Sequence, residues 1–253
     1  MTNLVTIHFF AMIQVQNLRV SVEWKEILRN IDISFETGKT YYILGQNGSG
    51  KSSLALTLMG HPKYRIEEGG MILDGEDLAV MTPDERSHRW LFLSLQNIPE
   101  VRGVRLGEYL RTIHNRHLVT GTKALSPFLC RRYLATLTKE LGIPEAFLDR
   151  DLNVGFSGGE KRKIEILQMK LLNPKYIILD EIESGLDIDA FRTVAELLAR
   201  VKTPENTLII ITHNFRMTEF VKPDEVIILK NGGIVERGGG ELVKKIGVEG
   251  FGE

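Results

Sequence analysis

Apolar positions alternate with polar ones from Ile13 to Val22 (Ile13, Val15, Leu18, Val20, Val22), the period-2 pattern of a strand with one buried face. Ile31, Ile33 and Phe35 repeat it, and Glu36-Thr37-Gly38 reads as a turn into a continuous apolar run, Tyr41–Leu44. Two amphipathic strands ahead of that run predict a small antiparallel sheet beside a main one. Met71-Ile72-Leu73 followed by Asp74-Gly75 is a further short strand and turn. Thr82-Pro83-Asp84-Glu85 is a helix start, with an N-cap Thr, Pro at the first position and Glu completing a capping box. Trp90 to Leu95 is again an apolar strand, ending at Gln96.

The pattern changes over 97–156, where long β-branched runs are missing. Helix starts fall at Leu106 and at Ser126-Pro127, with a short piece at Pro144–Leu148, so this segment reads as a helical insertion. Gly158–Leu172 is helical, with Ile164, Leu167, Leu171 and Leu172 at helical spacing and Asn173-Pro174 as the stop. Tyr176–Leu179 and Leu208–Ile211 are continuous apolar runs of the kind shown by parallel strands covered on both faces. A helix over Ala190–Val201 joins them into a βαβ unit. Val226–Leu229, Asn231-Gly232 and Ile234-Val235 predict a closing hairpin, and the Gly238–Gly240 run and the tail read as loop and a short helix.

Composition narrows the class. The 253 residues suit one α/β domain with an insertion, and 43% hydrophobic with 26% charged content is ordinary for a globular chain. A net charge of -1 gives no electrostatic reason to expect nucleic acid or an anionic membrane as the main partner. Cys130 is the one cysteine, which rules out an internal disulfide and a cysteine metal cluster within one chain. No apolar run approaches the roughly 20 residues that span a bilayer, and Val5–Ala11 lacks the basic flank of a signal peptide. The expectation is a soluble cytoplasmic protein with no direct membrane insertion.

The chemistry begins at Gly45-Gln46-Asn47-Gly48-Ser49-Gly50-Lys51-Ser52-Ser53, which fits the P-loop pattern and lies between the Tyr41–Leu44 strand and the Leu54–Met59 helix. Glycines let backbone N–H groups turn inward, and the helix start adds positive potential, so the loop predicts a phosphate cradle. Lys51 would reach the β- and γ-phosphates and Ser52 would sit on Mg²⁺. Ile177-Ile178-Leu179-Asp180-Glu181 delivers two carboxylates at a strand's C-terminal end, where α/β sheets bind ligands. Asp180 would hold Mg²⁺ and Glu181 would orient or activate water, while Gln96 could complete the Mg²⁺ and water shell. His213, directly after Leu208–Thr212, could contact the γ-phosphate. Phe156-Ser157-Gly158-Gly159-Glu160 opens a helix that Ser157 can cap, with two glycines leaving its N–H groups open to an anion. Chain order does not place that second loop against the P-loop of the same chain.

The order P-loop, Gln96, Ser157-Gly158-Gly159, Asp180-Glu181, Ser184-Gly185-Leu186-Asp187 and His213 resembles the ATP-binding-cassette ATPase family over essentially the whole chain from Ile13. The resemblance implies an α/β fold: a P-loop (RecA-like) parallel-sheet core, an N-terminal antiparallel β subdomain and an inserted α-helical subdomain. On this chain the core and antiparallel subdomain take 12–96 and 157–253, the insertion 97–156, and an N-terminal extension 1–11. It also implies ATP hydrolysis with Mg²⁺ at two sites, each shared head to tail between one copy's P-loop and the other's Ser157–Gly159 loop. Lys51, Glu181 and His213 would carry catalysis, and Ser184–Asp187 would communicate between the sites. Within the family, Phe156-Ser157-Gly158-Gly159-Glu160-Lys161-Arg162-Lys163, Glu165–Met169 and Ser184–Ala190 resemble the SufC-type members. Those are ATPase subunits of the SUF iron–sulfur cluster assembly machinery, which work with the scaffold proteins SufB and SufD. Three departures stand out. Ile182 and Glu183 replace a small residue and Asp, the residues before Gln96 are unusual, and no adenine-stacking aromatic is plain. Val22 occupies about that place, and Trp24 nearby is the candidate to stack on adenine. The alternatives are the cytoplasmic ATP-binding subunit of a membrane transporter, and a module that holds ATP without turnover.

Overall fold

The computed structural model describes residues 12–118 and 121–250; the N-terminal extension 1–11 lies outside them. The chain opens with β1 (Met12–Val22) and β2 (Lys25–Glu36), then β3 (Thr40–Leu44), α1 (Lys51–Leu58), β4 (Arg65–Leu73), β5 (Glu76–Asp77), α2 (Pro83–His88) and β6 (Leu91–Ser94). A segment of β7 (Val101–Arg105), α3 (Leu106–Arg116), α4 (Pro127–Glu140) and β8 (Asp151–Leu152) follows. The remainder is α5 (Gly158–Leu172), β9 (Tyr176–Asp180), α6 (Ile188–Val201), β10 (Thr207–Ile211), β11 (Glu225–Lys230), β12 (Gly233–Gly238) and α7 (Gly240–Glu249).

Two sheets share the load. Strands β2-β1-β4-β5 form an antiparallel sheet, and β12-β11-β3-β10-β9-β6 form a mixed sheet that is parallel except for β12. Strand β10 lies between β3 and β9, which are far apart in sequence; helices cover one face of the sheet, and α1 with the antiparallel sheet covers the other. Alternate residues of β3 serve two cores. Tyr42 and Leu44 join the helices α3 to α7, whereas Tyr41 and Ile43 join α1 and the antiparallel sheet. Full burial on both faces explains why β3, β9 and β10 read as unbroken apolar runs rather than alternating ones.

The expected elements form, with some ends shifted: α1 begins at Lys51 rather than Leu54, and β4 at Arg65 rather than Met71. Helix α6 begins at Ile188 rather than Ala190, because Asp187 accepts from the Ala190 N–H at 2.8 Å and caps the first turn. The helical segment is also closed by a ribbon, β7 paired with β8, that hydrophobic patterning does not announce. The register matters most for function. Ile211 pairs with Asp180 and with Ile43, and Ser94 pairs with Leu179, so four strands end level with one another. Residues 45–53, 96, 181 and 213 therefore emerge at one edge of the sheet.

Candidate functional site

The loop after β3 is shaped by close backbone approaches. A Cβ at Gly45 would sit 2.2 Å from the Leu229 carbonyl oxygen, so only glycine fits beneath β11. Gly50, at φ 106°, turns the chain directly into α1. The Gly232 N–H donates to the Ser49 carbonyl at 3.0 Å, tying the loop to the β11–β12 turn. Lys51 is buried, and its ammonium donates to the carbonyls of Gly45 at 2.8 Å and Gln46 at 3.0 Å, spanning the loop from within. Burial pulls its pKa down, and the Glu181 and Asp180 carboxylates push it back up.

At the tips of β9 and β10 the acids meet their partners. Ser52 Oγ donates to Asp180 Oδ1 at 3.0 Å, and burial holds the Asp180 carboxyl above the ordinary range. Glu181 has φ 49°, a left-handed conformation that a non-glycine residue adopts at a cost; the Ile211 carbonyl accepts its N–H at 2.9 Å. Its Oε2 accepts from Gln96 Nε2 at 2.8 Å, and its Oε1 lies 3.2 Å from His213 Nδ1. One carboxylate thus bridges the ends of three strands. A cleft of about 480 Å³ opens beside them, lined by Lys25, Ile27, the loop residues Asn47, Gly48 and Gly50 to Ser53, and by Gln96 and Glu181; Asp180 and His213 lie outside its lining and reach it through Ser52 and Glu181.

Trp24 does not line this cleft. It is 89% exposed at the β1–β2 turn, with the Arg65 guanidinium 5.8 Å from its ring centroid, and the lining starts one residue later at Lys25. Ser157, Gly158 and Gly159 also lie outside it. Ser157 caps α5 with a full capping box: its Oγ accepts from the Glu160 N–H, and Glu160 Oε2 accepts from the Ser157 N–H at 2.8 Å. Added Cβ atoms at Gly158 and Gly159 would meet Leu186 at 3.5 Å and Ala190 at 3.1 Å, so the loop packs against the start of α6.

Two residues escaped sequence reasoning. Arg162, buried on α5, donates to the carbonyls of Leu95 at 2.8 Å and Gln96 at 2.9 Å, and to Glu165 Oε2 at 2.7 Å. Glu165 also accepts from Ser94 Oγ at 2.9 Å, and burial raises its pKa against the opposing pull of Arg162. The pair holds the backbone at Gln96 from behind. The available signal was a charged i,i+3 pair on the helix face that continues with Ile166 and Met169. Glu183, anticipated as a departure, is buried with Thr212 Oγ1 donating to its Oε1 and with Oε2 unpartnered.

Comparisons with known proteins match the family and the fold. The family described as ABC transporter matches residues 28–184. The probable ATP-dependent transporter ycf16 of Antithamnion sp. is 38% identical over 95% of this chain and 96% of its own. A dimeric bacterial ABC transporter cassette superposes with TM-score 0.75 at 20% identity, over 90% of this chain and 98% of that one. An ATP-bound bacterial Atm1-family ABC exporter gives 0.71 at 22% identity over 94% of this chain, which spans 40% of that exporter's length. The chain belongs to the ABC transporter family, as an ATP-binding cassette with ATPase activity.

Proposed function

We propose that this cassette is the cytoplasmic ATPase of a SUF-type iron–sulfur assembly complex, in which two copies close on ATP and reshape a SufB–SufD scaffold. The observation that carries the ATPase half is Glu181, held by Gln96 and His213 at the mouth of the P-loop cleft. In this reading Lys51 and the loop amides of residues 45–53 neutralise phosphate charge, Glu181 polarises the attacking water, and His213 senses the γ-phosphate. Ser52 and Asp180 are hard oxygen donors already 3.0 Å apart, and they fit Mg²⁺, with Gln96 at its water shell. When bound, Mg²⁺ would neutralise charge on the phosphates. The Ser157–Gly159 loop, absent from the lining of the chain's own cleft, serves the other copy's nucleotide.

The SUF assignment rests on residues 156–163 and 184–190, which resemble SufC-type sequences. A groove of about 260 Å³ between the core and the 97–156 insertion offers the scaffold a docking face. Leu95, Ile98, Pro99, Tyr109 and Ile113 line it, and so does Asn153, whose buried Oδ1 has no partner. Among the described residues, no helix is long and apolar enough to cross a membrane. In this reading the iron–sulfur cluster sits on the partners, because Cys130 is the chain's one cysteine. A second reading, the ATP-binding subunit of a membrane transporter, is favoured by the ycf16 relative, which is named a probable ATP-dependent transporter.

ATP turnover of the purified chain, alone and with SufB–SufD, separates the two readings. A slow rate raised at least tenfold by the scaffold supports the SUF reading. A rate indifferent to the scaffold but raised by a membrane fraction supports the transporter. Glu181→Gln should lower turnover of the complex by about 10²-fold or more while nucleotide still binds; unchanged turnover rejects the catalytic assignment.

A further inference from the structure

The four residues ahead of Ser157 form a turn, with the Val154 N–H donating to the Asp151 carbonyl at 3.2 Å, the Phe156 N–H to that of Asn153 at 3.5 Å, and Asn153 Nδ2 to the Pro99 carbonyl at 2.9 Å. Asn153 at φ 61° and Gly155 at φ 66° both sit in the left-handed region, so the segment 153–156 belongs to neither a helix nor a ladder. Asn153 anchors its start, and the Arg150 side chain gathers its end. The Arg150 guanidinium lies 4.2 Å from the Phe156 ring centroid and 5.1 Å from that of Phe147, and the two rings are themselves stacked at 4.5 Å. The same guanidinium donates to the carbonyls of Val154 at 3.2 Å and Gly155 at 3.3 Å. The Arg150 carbonyl in turn accepts from the Leu106 N–H at 2.9 Å, which anchors the residue to the start of α3.

We infer that Arg150 is a positioning residue for the ATP-sandwiching loop: its planar head fixes Phe156, and through it the direction in which Ser157 to Gly159 face the second copy. This rests on the head-to-tail reading proposed above and names the side chain that makes the loop competent. Planarity is the essential property. A guanidinium covers a ring face and aims two N–H groups at adjacent carbonyls at once, whereas a lysine ammonium is a compact point charge without that fork. Arg150 is exposed and lies outside the cleft lining, so its removal leaves binding to the chain's own P-loop intact.

The experiment measures ATP-induced dimerisation in a Glu181→Gln background, which holds ATP unhydrolysed, alongside binding of a fluorescent ATP analogue to the monomer. Arg150→Ala and Arg150→Lys should each raise the ATP concentration for half-maximal dimerisation by about tenfold, with analogue affinity and the thermal transition unchanged. Equal dimerisation of the three proteins would overturn the inference, as would full rescue by lysine. A Glu181→Gln protein that stays monomeric at saturating ATP, with or without its partners, would instead overturn the head-to-tail reading itself.

Discussion

Glu183 shows how one residue carries a testable cost. Burial is the main force raising its pKa, and the Thr212 hydrogen bond and the charge of His213 oppose it. An acid whose folded pKa lies above its unfolded value binds its proton more tightly in the folded state. Its stabilising effect is complete below the unfolded value near 4.5 and is lost as pH rises through the folded value. Glu183→Gln removes that slope, so urea unfolding of nucleotide-free protein should show the variant gaining on the parent between pH 5 and pH 8. A stability difference that stays constant across this window would show that Glu183 ionises as freely in the folded chain as in the unfolded one. Trp24 makes the complementary point about legibility. A lone tryptophan near a phosphate loop reads as a stacking group, but its direction depends on a two-residue turn with Glu23 and Trp24 both at positive φ, which residue type does not encode.

Elements with strong local signals were legible and those held by distant partners were not. The P-loop strand and helix, the capped α2 and α5, and the paired strands β9 and β10 each have a period or a cap that residue type alone specifies. The β7–β8 ribbon was silent because Val-Arg-Gly-Val-Arg has no buried face and β8 is two residues long. The candidate site followed the same division: Lys51, Ser52, Asp180, Glu181, Gln96 and His213 were readable as strand-end chemistry, while the Arg162–Glu165 support behind Gln96 needed three-dimensional contact. Arg86 is a second buried guanidinium of this kind. It donates to the carbonyls of Thr57 and Leu58 at 2.8 Å each and of Met81 at 3.1 Å, closing the C-terminal end of the P-loop helix. Arg86→Met keeps the stem but strands those carbonyls, and should cost about 2–3 kcal/mol in denaturant unfolding. A loss below roughly 0.5 kcal/mol would mean that water reaches them instead.

For the whole molecule the question is whether one chain contains one site. The P-loop cleft gathers Lys51, Ser52, Gln96 and Glu181, while Ser157 and the two glycines lie outside its lining, against α6. If two chains complete each other, defects in the two halves must be separable and must complement. In the proposed reading, Glu181→Gln removes the water-polarising group of a chain's own cleft, and Ser157→Arg blocks the loop that it lends. Each variant alone should be nearly inactive in the assembled complex, since both sites of its dimer are damaged. Mixed in equal amounts, half of the dimers are mixed. In those, one site carries both lesions and the other carries neither, so activity should recover to roughly a quarter of the parent value. The recovery should also depend on total protein concentration, because an intact site forms only by association. A cassette that completes its site within one chain would show no recovery at any ratio. It would then fall to Ser157→Arg alone to show whether the loop matters, and full activity in that variant would remove the loop from the mechanism.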